Sequence, residues 1–216
     1  MAIAYDSSST GATTGSSITF AHTCSGSDRV LIVAGEDNGS NNWSVTYPKG
    51  GSATALTQID SDTASGLKMY YMIAPDTGAN NIVASKTGTY IVACAASYTG
   101  VKQTGFPDNS AKEAYPADSA ATESISVTPT VSGCWVVGAA FVNANAATTA
   151  GSGTTIRQSN NNASGGAGLG DNNAAVTPAA STTLNFASSN AGRAAIILSM
   201  APATATVNTS SFFLIM

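Results

Sequence analysis

Apolar residues in this chain come in short runs rich in β-branched and aromatic side chains, each ended by turn formers. That pattern suits strands and leaves little room for helices. In Trp43-Ser44-Val45-Thr46-Tyr47 the apolar side chains alternate with hydroxyls, so one face of an extended segment is greasy and the other polar. Ser17-Ile18-Thr19-Phe20 alternates in the same way. Val30-Leu31-Ile32-Val33 and Ala195-Ile196-Ile197-Leu198 are apolar throughout, as central strands covered on both faces must be. Between such runs lie Asp37-Asn38-Gly39, Lys49-Gly50-Gly51-Ser52 and Pro75-Asp76-Thr77-Gly78, which supply the backbone angles of tight turns. Residues 143–150 are alanine-rich, but Asn and Thr interrupt them and weaken any helix. The spacing predicts about ten to twelve strands in an all-β, antiparallel, jelly-roll-like β-sandwich. This body is expected to span residues 1–201, with an extended C-terminal arm over 202–216.

Residues 151–180 contain almost no bulky apolar side chains and, beyond a candidate strand at Thr154–Gln158, are expected to form a long surface loop. Within them, Gly166-Ala167-Gly168-Leu169-Gly170 has the look of a phosphate-binding loop, but it neither follows a strong strand nor opens a helix, so that mechanism is absent.

Charge excludes several functions. Charged residues are only 9% of the chain, and twelve acids and eight bases are scattered singly, for a net charge of −4. No basic stripe is present to neutralise phosphates, so nucleic acid is not an expected partner. No run is long and apolar enough to cross a bilayer, and the first residues, Met1-Ala2-Ile3-Ala4-Tyr5-Asp6, lack the features of a signal peptide. Synthesis in the cytoplasm without general export is therefore expected, with no membrane partner. On that route the sequons Asn42-Trp43-Ser44 and Asn208-Thr209-Ser210 carry no glycan. Cys24, Cys94 and Cys134 have no metal-ligand spacing; Cys94 and Cys134 sit inside apolar runs, as buried free thiols do.

Catalytic constellations are equally sparse. His22 is the lone histidine, no nucleophile elbow accompanies it, and a structural role at a strand end is expected. Asp60 and Asp62, two apart, would share a face of a strand, where they could act as a carboxylate pair or as oxygen ligands for calcium. Glu36-Asp37-Asn38 with Asn41 forms a second oxygen-rich turn. Solvated turn acids are the simpler reading of both. Trp43, Tyr47, Tyr70, Tyr71 and Tyr98 could stack on sugars, although their positions within strands favour the core. No cofactor and no enzymatic activity are expected.

The segment after the last strong strand runs through Ala203-Thr204-Ala205-Thr206-Val207-Asn208-Thr209 to Phe212-Phe213-Leu214-Ile215-Met216. Burying these five apolar side chains is worth on the order of 7–15 kcal/mol gross. Left in water they would drive aggregation, so they must pack in their own domain or in a neighbour. Phe212, Phe213, Leu214, Ile215 and Met216 are thus the expected assembly contact.

Further motifs resemble a known module. Trp43-Ser-Val-Thr-Tyr47-Pro-Lys-Gly50-Gly51 leads to Leu67-Lys-Met-Tyr70-Tyr71-Met-Ile-Ala74-Pro75 and Gly78, then to Ala96-Ser97-Tyr98-Thr99-Gly100-Val101. This order is similar to a β-sandwich module that recurs in tailed-phage structural proteins and bacterial surface proteins. The resemblance covers roughly residues 30–105 and continues weakly through 134–142 and 193–200; Pro48-Lys49 departs from it by intruding before the glycine pair. It implies a jelly-roll-like scaffold in a virion or cell-surface setting and carries no catalytic residues.

Together these readings predict a non-enzymatic virion structural protein of a tailed phage, either a capsid decoration or a tail-associated subunit, made in the host cytoplasm. Its expected partners are copies of itself, with a trimeric ring favoured, and other virion proteins such as the major capsid or tail proteins. Two alternatives remain open: a carbohydrate-binding module that attaches to glycans, and an extracellular filament subunit completed by a neighbour's strand.

Overall fold

A computed structural model of the chain describes residues 1–39, 42–114, 122–187 and 192–204. Among them the apolar runs form strands and no helix is present. The first half carries β1 (Ala4–Thr13), β2 (Ser17–Cys24), β3 (Val30–Glu36), β4 (Ser44–Lys49), β5 (Ser52–Ala55), β6 (Thr57–Ser61), β7 (Lys68–Ile73), β8 (Gly78–Ser85) and β9 (Ile91–Thr99). The second carries β10 (Asn109–Glu113), β11 (Thr122–Val127), β12 (Trp135–Val142), β13 (Thr149–Ala150), β14 (Thr155–Asn161), β15 (Gly166–Asp171), β16 (Thr182–Ala187) and β17 (Arg193–Met200).

The sandwich is built twice. In the first half a five-stranded sheet of order β1-β9-β3-β7-β6 faces a four-stranded sheet of order β2-β8-β4-β5. The second half repeats this with β10-β17-β12-β15-β14 facing β11-β16-β13; among the described residues a counterpart of β5 is lacking. Register follows topology. β3 meets β9 with Val30 opposite Tyr98, and β12 meets β17 with Trp135 opposite Met200. The hairpins β6–β7 and β14–β15 each carry a β-bulge, at 58–60 and at 156–158.

Single residues repeat as well. Asp6 accepts hydrogen bonds from the Ser25 amide (2.8 Å), the Ser25 hydroxyl and the Ser97 hydroxyl (2.8 Å). Asp108 accepts the same three kinds of bond from the Thr130 amide (2.8 Å), the Thr130 hydroxyl and the Ser199 hydroxyl (2.8 Å). Left-handed backbone precedes β3 at Asp28 and β12 at Gly133, follows β7 at Ala74 and β15 at Asn173, and precedes β9 at Tyr90 and β17 at Gly192.

Three apolar clusters order the sheets into four layers. Leu31, Val33, Trp43, Val45, Tyr47 and Ile82 fill the first sandwich. Ile125, Val127, Leu184, Phe186 and Ile197 fill the second. Between the two five-stranded sheets, Ile32, Ala34, Met69 and Tyr98 meet Trp135, Val137, Phe141, Leu169, Ile196 and Leu198 in a shared core. Continuous apolar strands such as β3, β12 and β17 therefore serve two cores at once, which is why both their faces are buried. The contact is reciprocal: β1 lies against β14 and β10 against β6, as in a two-fold packing.

The fold corrects one expectation. Much of residues 151–180 is not a surface loop: the strand expected at Thr154–Gln158 forms as β14, and β15, which was not expected, is fully buried between β12 and β14. The glycines of β15 leave room for backbone. A Cβ at Gly166 would stand 2.1 Å from the Ala146 carbonyl oxygen, and one at Gly168 would stand 2.6 Å from Thr148 Cβ. Segment 146–155 thus rests directly on the sheet where bulky side chains would hold it off.

Candidate assembly surface and buried polar sites

The expected assembly contact, Phe212, Phe213, Leu214, Ile215 and Met216, lies outside the described residues. What the structure does place is the root of that segment. Pro202 bridges Val101, the Ala203 amide donates to the Gly100 carbonyl (2.8 Å), and the Ala201 carbonyl accepts from the Lys102 amide (2.9 Å). The Met1 ammonium donates to the Ala203 carbonyl at 2.6 Å. The chain is therefore held by main-chain bonds as far as Ala203, and Thr204 is the last described residue. Two open clefts flank this point. One, of about 550 Å³, lies between Met1, Asp28, Gln103 and Thr204; the other, of about 340 Å³, lies between Asp108, Val131, Ala201 and Pro202.

The outward faces of the two outer sheets carry mostly hydroxyls and amides, with Lys49 of β4 as an exposed charge. On β2, Ser17, Thr19, Ala21 and Thr23 are exposed. Across β11 and β16, Ser124 donates to Asn185 Oδ1, and the Ser126 and Thr183 hydroxyls meet, both at 2.7 Å. Such faces suit contacts made by area and hydrogen bonding.

The carboxylates singled out by spacing are held apart by different partners. The bulge at 58–60 turns Asp60 toward Lys112 (3.1 Å) in a half-exposed ion pair. Asp62 is buried and accepts from the Ser65 amide (2.8 Å) and hydroxyl (2.5 Å), closing the β6–β7 turn. The Asp60/Asp62 pair does not converge on one site. Among the described residues no group of three or more His, Cys, Asp and Glu is arranged to hold a metal ion.

Glu36 and Asp37 are both fully buried where β3 runs into its turn; Asn41 lies outside the described residues. Asp37 accepts from the Asn42 amide at 2.8 Å, and Lys86 approaches it at 3.9 Å while donating to its carbonyl. Glu36 Oε2 accepts from the Asn38 amide at 2.6 Å, while its buried Oε1 has no hydrogen-bond partner. Burial and the neighbouring Asp37 outweigh that amide and Lys86, pushing the Glu36 carboxyl up to about 7.

His22, expected to be structural, is 2% exposed and lies between two serines of β1. Ser7 donates its hydroxyl to the Thr23 carbonyl, so toward His22 Nε2 (3.4 Å) it accepts. The Nδ1 atom is then the acceptor for Ser9 (2.8 Å), which makes the ring neutral with its proton on Nε2. Burial lowers its pKa to about 4 against the attraction of Asp6. A ring so enclosed and so weakly basic braces β1 against β2.

The aromatic residues are core. Trp43, Tyr47, Tyr70 and Tyr98 are all at most 5% exposed, so they offer no platform for stacking on a sugar. Their polar tips are satisfied inside: Trp43 Nε1 donates to the Gly66 carbonyl (3.2 Å), and Tyr70 donates to the Trp43 carbonyl (2.5 Å). Tyr71 is half-buried, with its ring centre 4.7 Å from that of Phe106. All three cysteines are free and buried.

Sequence reasoning missed the polar lock between the halves. Asp171 of β15 accepts two bonds from Arg157 (2.6 and 2.9 Å) and one from the Tyr98 hydroxyl (2.8 Å). The Arg157 guanidinium lies 4.1 Å above the Tyr5 ring, adding a cation–π contact across the same interface. An arginine and an aspartate in a stretch otherwise empty of charge were the available signal. No protein-family model matches the chain, and no curated protein matches it either.

Proposed function

We propose that this chain is a non-enzymatic assembly subunit that joins copies of itself through the segment following Thr204. The observation that carries this reading is the rooted exit of the chain. Residues 201–203 are fixed by main-chain hydrogen bonds to Gly100, Lys102 and Met1, and the sequence beyond them ends in five consecutive apolar residues. A firm root gives an apolar segment a defined direction, so its burial in a neighbour is converted into a fixed geometry between subunits. The sparsely charged outer sheets support the same reading. On the resemblance of 30–105 to a module of tailed-phage structural proteins, the setting we propose is a virion, with the subunit decorating a capsid or belonging to a tail. Burial of the aromatics removes the feature that favoured glycan binding.

The test is truncation after Thr204, which spares the bonds made by Pro202 and Ala203. By light scattering coupled to size exclusion, the intact chain should be a defined oligomer and the truncated chain a folded monomer. Two monomers, or two oligomers of the same order, would overturn the proposal.

A further inference from the structure

The two halves share a topology but differ at one corner. In the first half, β1 pairs with β9 as far as Ala4 opposite Thr99, and Ile3 is buried in the shared core. The preceding residue packs so closely that a Cβ on Gly100 would stand 2.2 Å from the Ala2 carbonyl oxygen. In the second half, β10 begins only at Asn109 opposite Ser199, so Met200 and Ala201 have no partner from that strand. The cleft of about 340 Å³ opens there, lined by Lys102, Asp108, Val131, Ala201, Pro202 and Thr204. Val131 is 45% exposed and is, with Met1, one of two large apolar side chains left exposed among the described residues.

We infer that this cleft is the acceptor for residues 212–216 of a second copy of the chain, an inference that rests on the assembly reading above. Thr204, the last described residue, forms part of the rim. Residues 205–211, Ala-Thr-Val-Asn-Thr-Ser-Ser, contain neither Gly nor Pro. Seven residues can reach up to about 25 Å, far enough for the apolar segment to enter the cleft of a neighbour. The occupant is uncharged, so Lys102 and Asp108 at the rim can stay solvated while Phe212, Phe213 and Leu214 cover Val131, Ala201 and Pro202. The volume lies within the range of clefts that enclose small ligands and suits a few side chains. Because each subunit offers one segment and one cleft, reciprocal exchange closes a two-fold pair, and passing the segment onward closes a ring or runs on as a filament.

The experiment uses the full chain carrying Val131→Arg, an exposed position where a long charged side chain fills the cleft without entering the core. Light scattering should give a single-chain mass, as for truncation after Thr204, with an unchanged melting temperature of the body. A second variant, Val131→Cys with Leu214→Cys, should form disulfide-linked species of more than one chain under oxidation. If truncation dissociates the oligomer and Val131→Arg does not, the acceptor lies elsewhere and this inference fails while the assembly reading stands. Cross-links confined to single chains would also overturn it, since the cleft would then hold its own segment. Failure of truncation itself to dissociate the oligomer sinks the assembly reading.

Discussion

Burial acts on His22 and Glu36 alike, but it moves their contributions to stability in opposite directions with pH. His22 titrates near 4 in the folded chain, below its ordinary value of 6.5, so its contribution is complete above pH 6.5 and is lost as pH falls toward 4. Glu36 titrates near 7, above its ordinary 4.5, so its contribution is complete below pH 4.5 and is lost as pH rises through 7. Each amounts to about 3 kcal/mol at most, and between pH 4.5 and 6.5 the two slopes nearly cancel. Glu36→Gln keeps an acceptor for the Asn38 amide and removes the second term. Urea titrations of this variant should show stability rising by about 1.4 kcal/mol per pH unit over that window, against a flatter native profile. Parallel profiles would mean that Glu36 ionises at its ordinary pH. The left-handed residues are legible only by comparison: Gly192 signals its own conformation, whereas Tyr90, at the matching place before β9, gives no local sign of it.

At the scale of strands, alternation and apolar runs located β3, β4, β9, β12 and β17 because those strands carry the side chains that fill the cores. The same rule failed for β15, whose sequence Gly-Ala-Gly-Leu-Gly-Asp reads as a loop. A strand is defined by its ladder, and a ladder needs no side chains; here the absence of Cβ atoms lets residues 146–155 lie against the sheet. Gly166→Ala sets a methyl against the Ala146 carbonyl and should destabilise the chain by about 1–3 kcal/mol. Chemical denaturation measures this, and an unchanged midpoint would show that segment 146–155 moves aside freely. β1 was missed for a related reason. Its run of Ser and Thr resembles a linker, yet small side chains there admit His22 and Phe20 of β2: a Cβ at Gly11 would stand 2.7 Å from the Phe20 ring.

Across the whole molecule, the shared core makes the halves interdependent. Neither five-stranded sheet has a second covered face unless the other half supplies it, so calorimetry of the intact chain should show one transition. Asp171→Asn removes the charge paired with Arg157 of the neighbouring strand β14 and weakens the acceptor that the Tyr98 hydroxyl finds across the interface, and should cost about 3–5 kcal/mol, as breaking a buried pair does. Two resolved transitions in the unmodified chain would show instead that the sandwiches fold separately. The repeat itself was hidden in the sequence because equivalent positions carry different chemistry. Ile18 and Ile91 of the first core correspond in register to Glu123 and Arg193 in the second, and Trp43, Val45 and Tyr47 correspond to Thr148, Ala150 and Ser152. Asp6 with Ser25 and Ser97, matched by Asp108 with Thr130 and Ser199, keeps its polar chemistry, because each cluster satisfies the same backbone turn.

The sequence alone determined the all-β antiparallel sandwich, the placement of Trp43, Tyr47, Tyr70, Tyr98, Cys94 and Cys134 in the core, and the presence of an apolar segment at 212–216. These follow from local periodicity and from the cost of exposing apolar surface, and both are written residue by residue. Only the tertiary structure decided that the sandwich is repeated, that a glycine run is a buried strand, and that Asp60 and Asp62 face different partners. Those outcomes depend on which backbones approach one another across long separations, and such approaches are set by the packing of whole sheets.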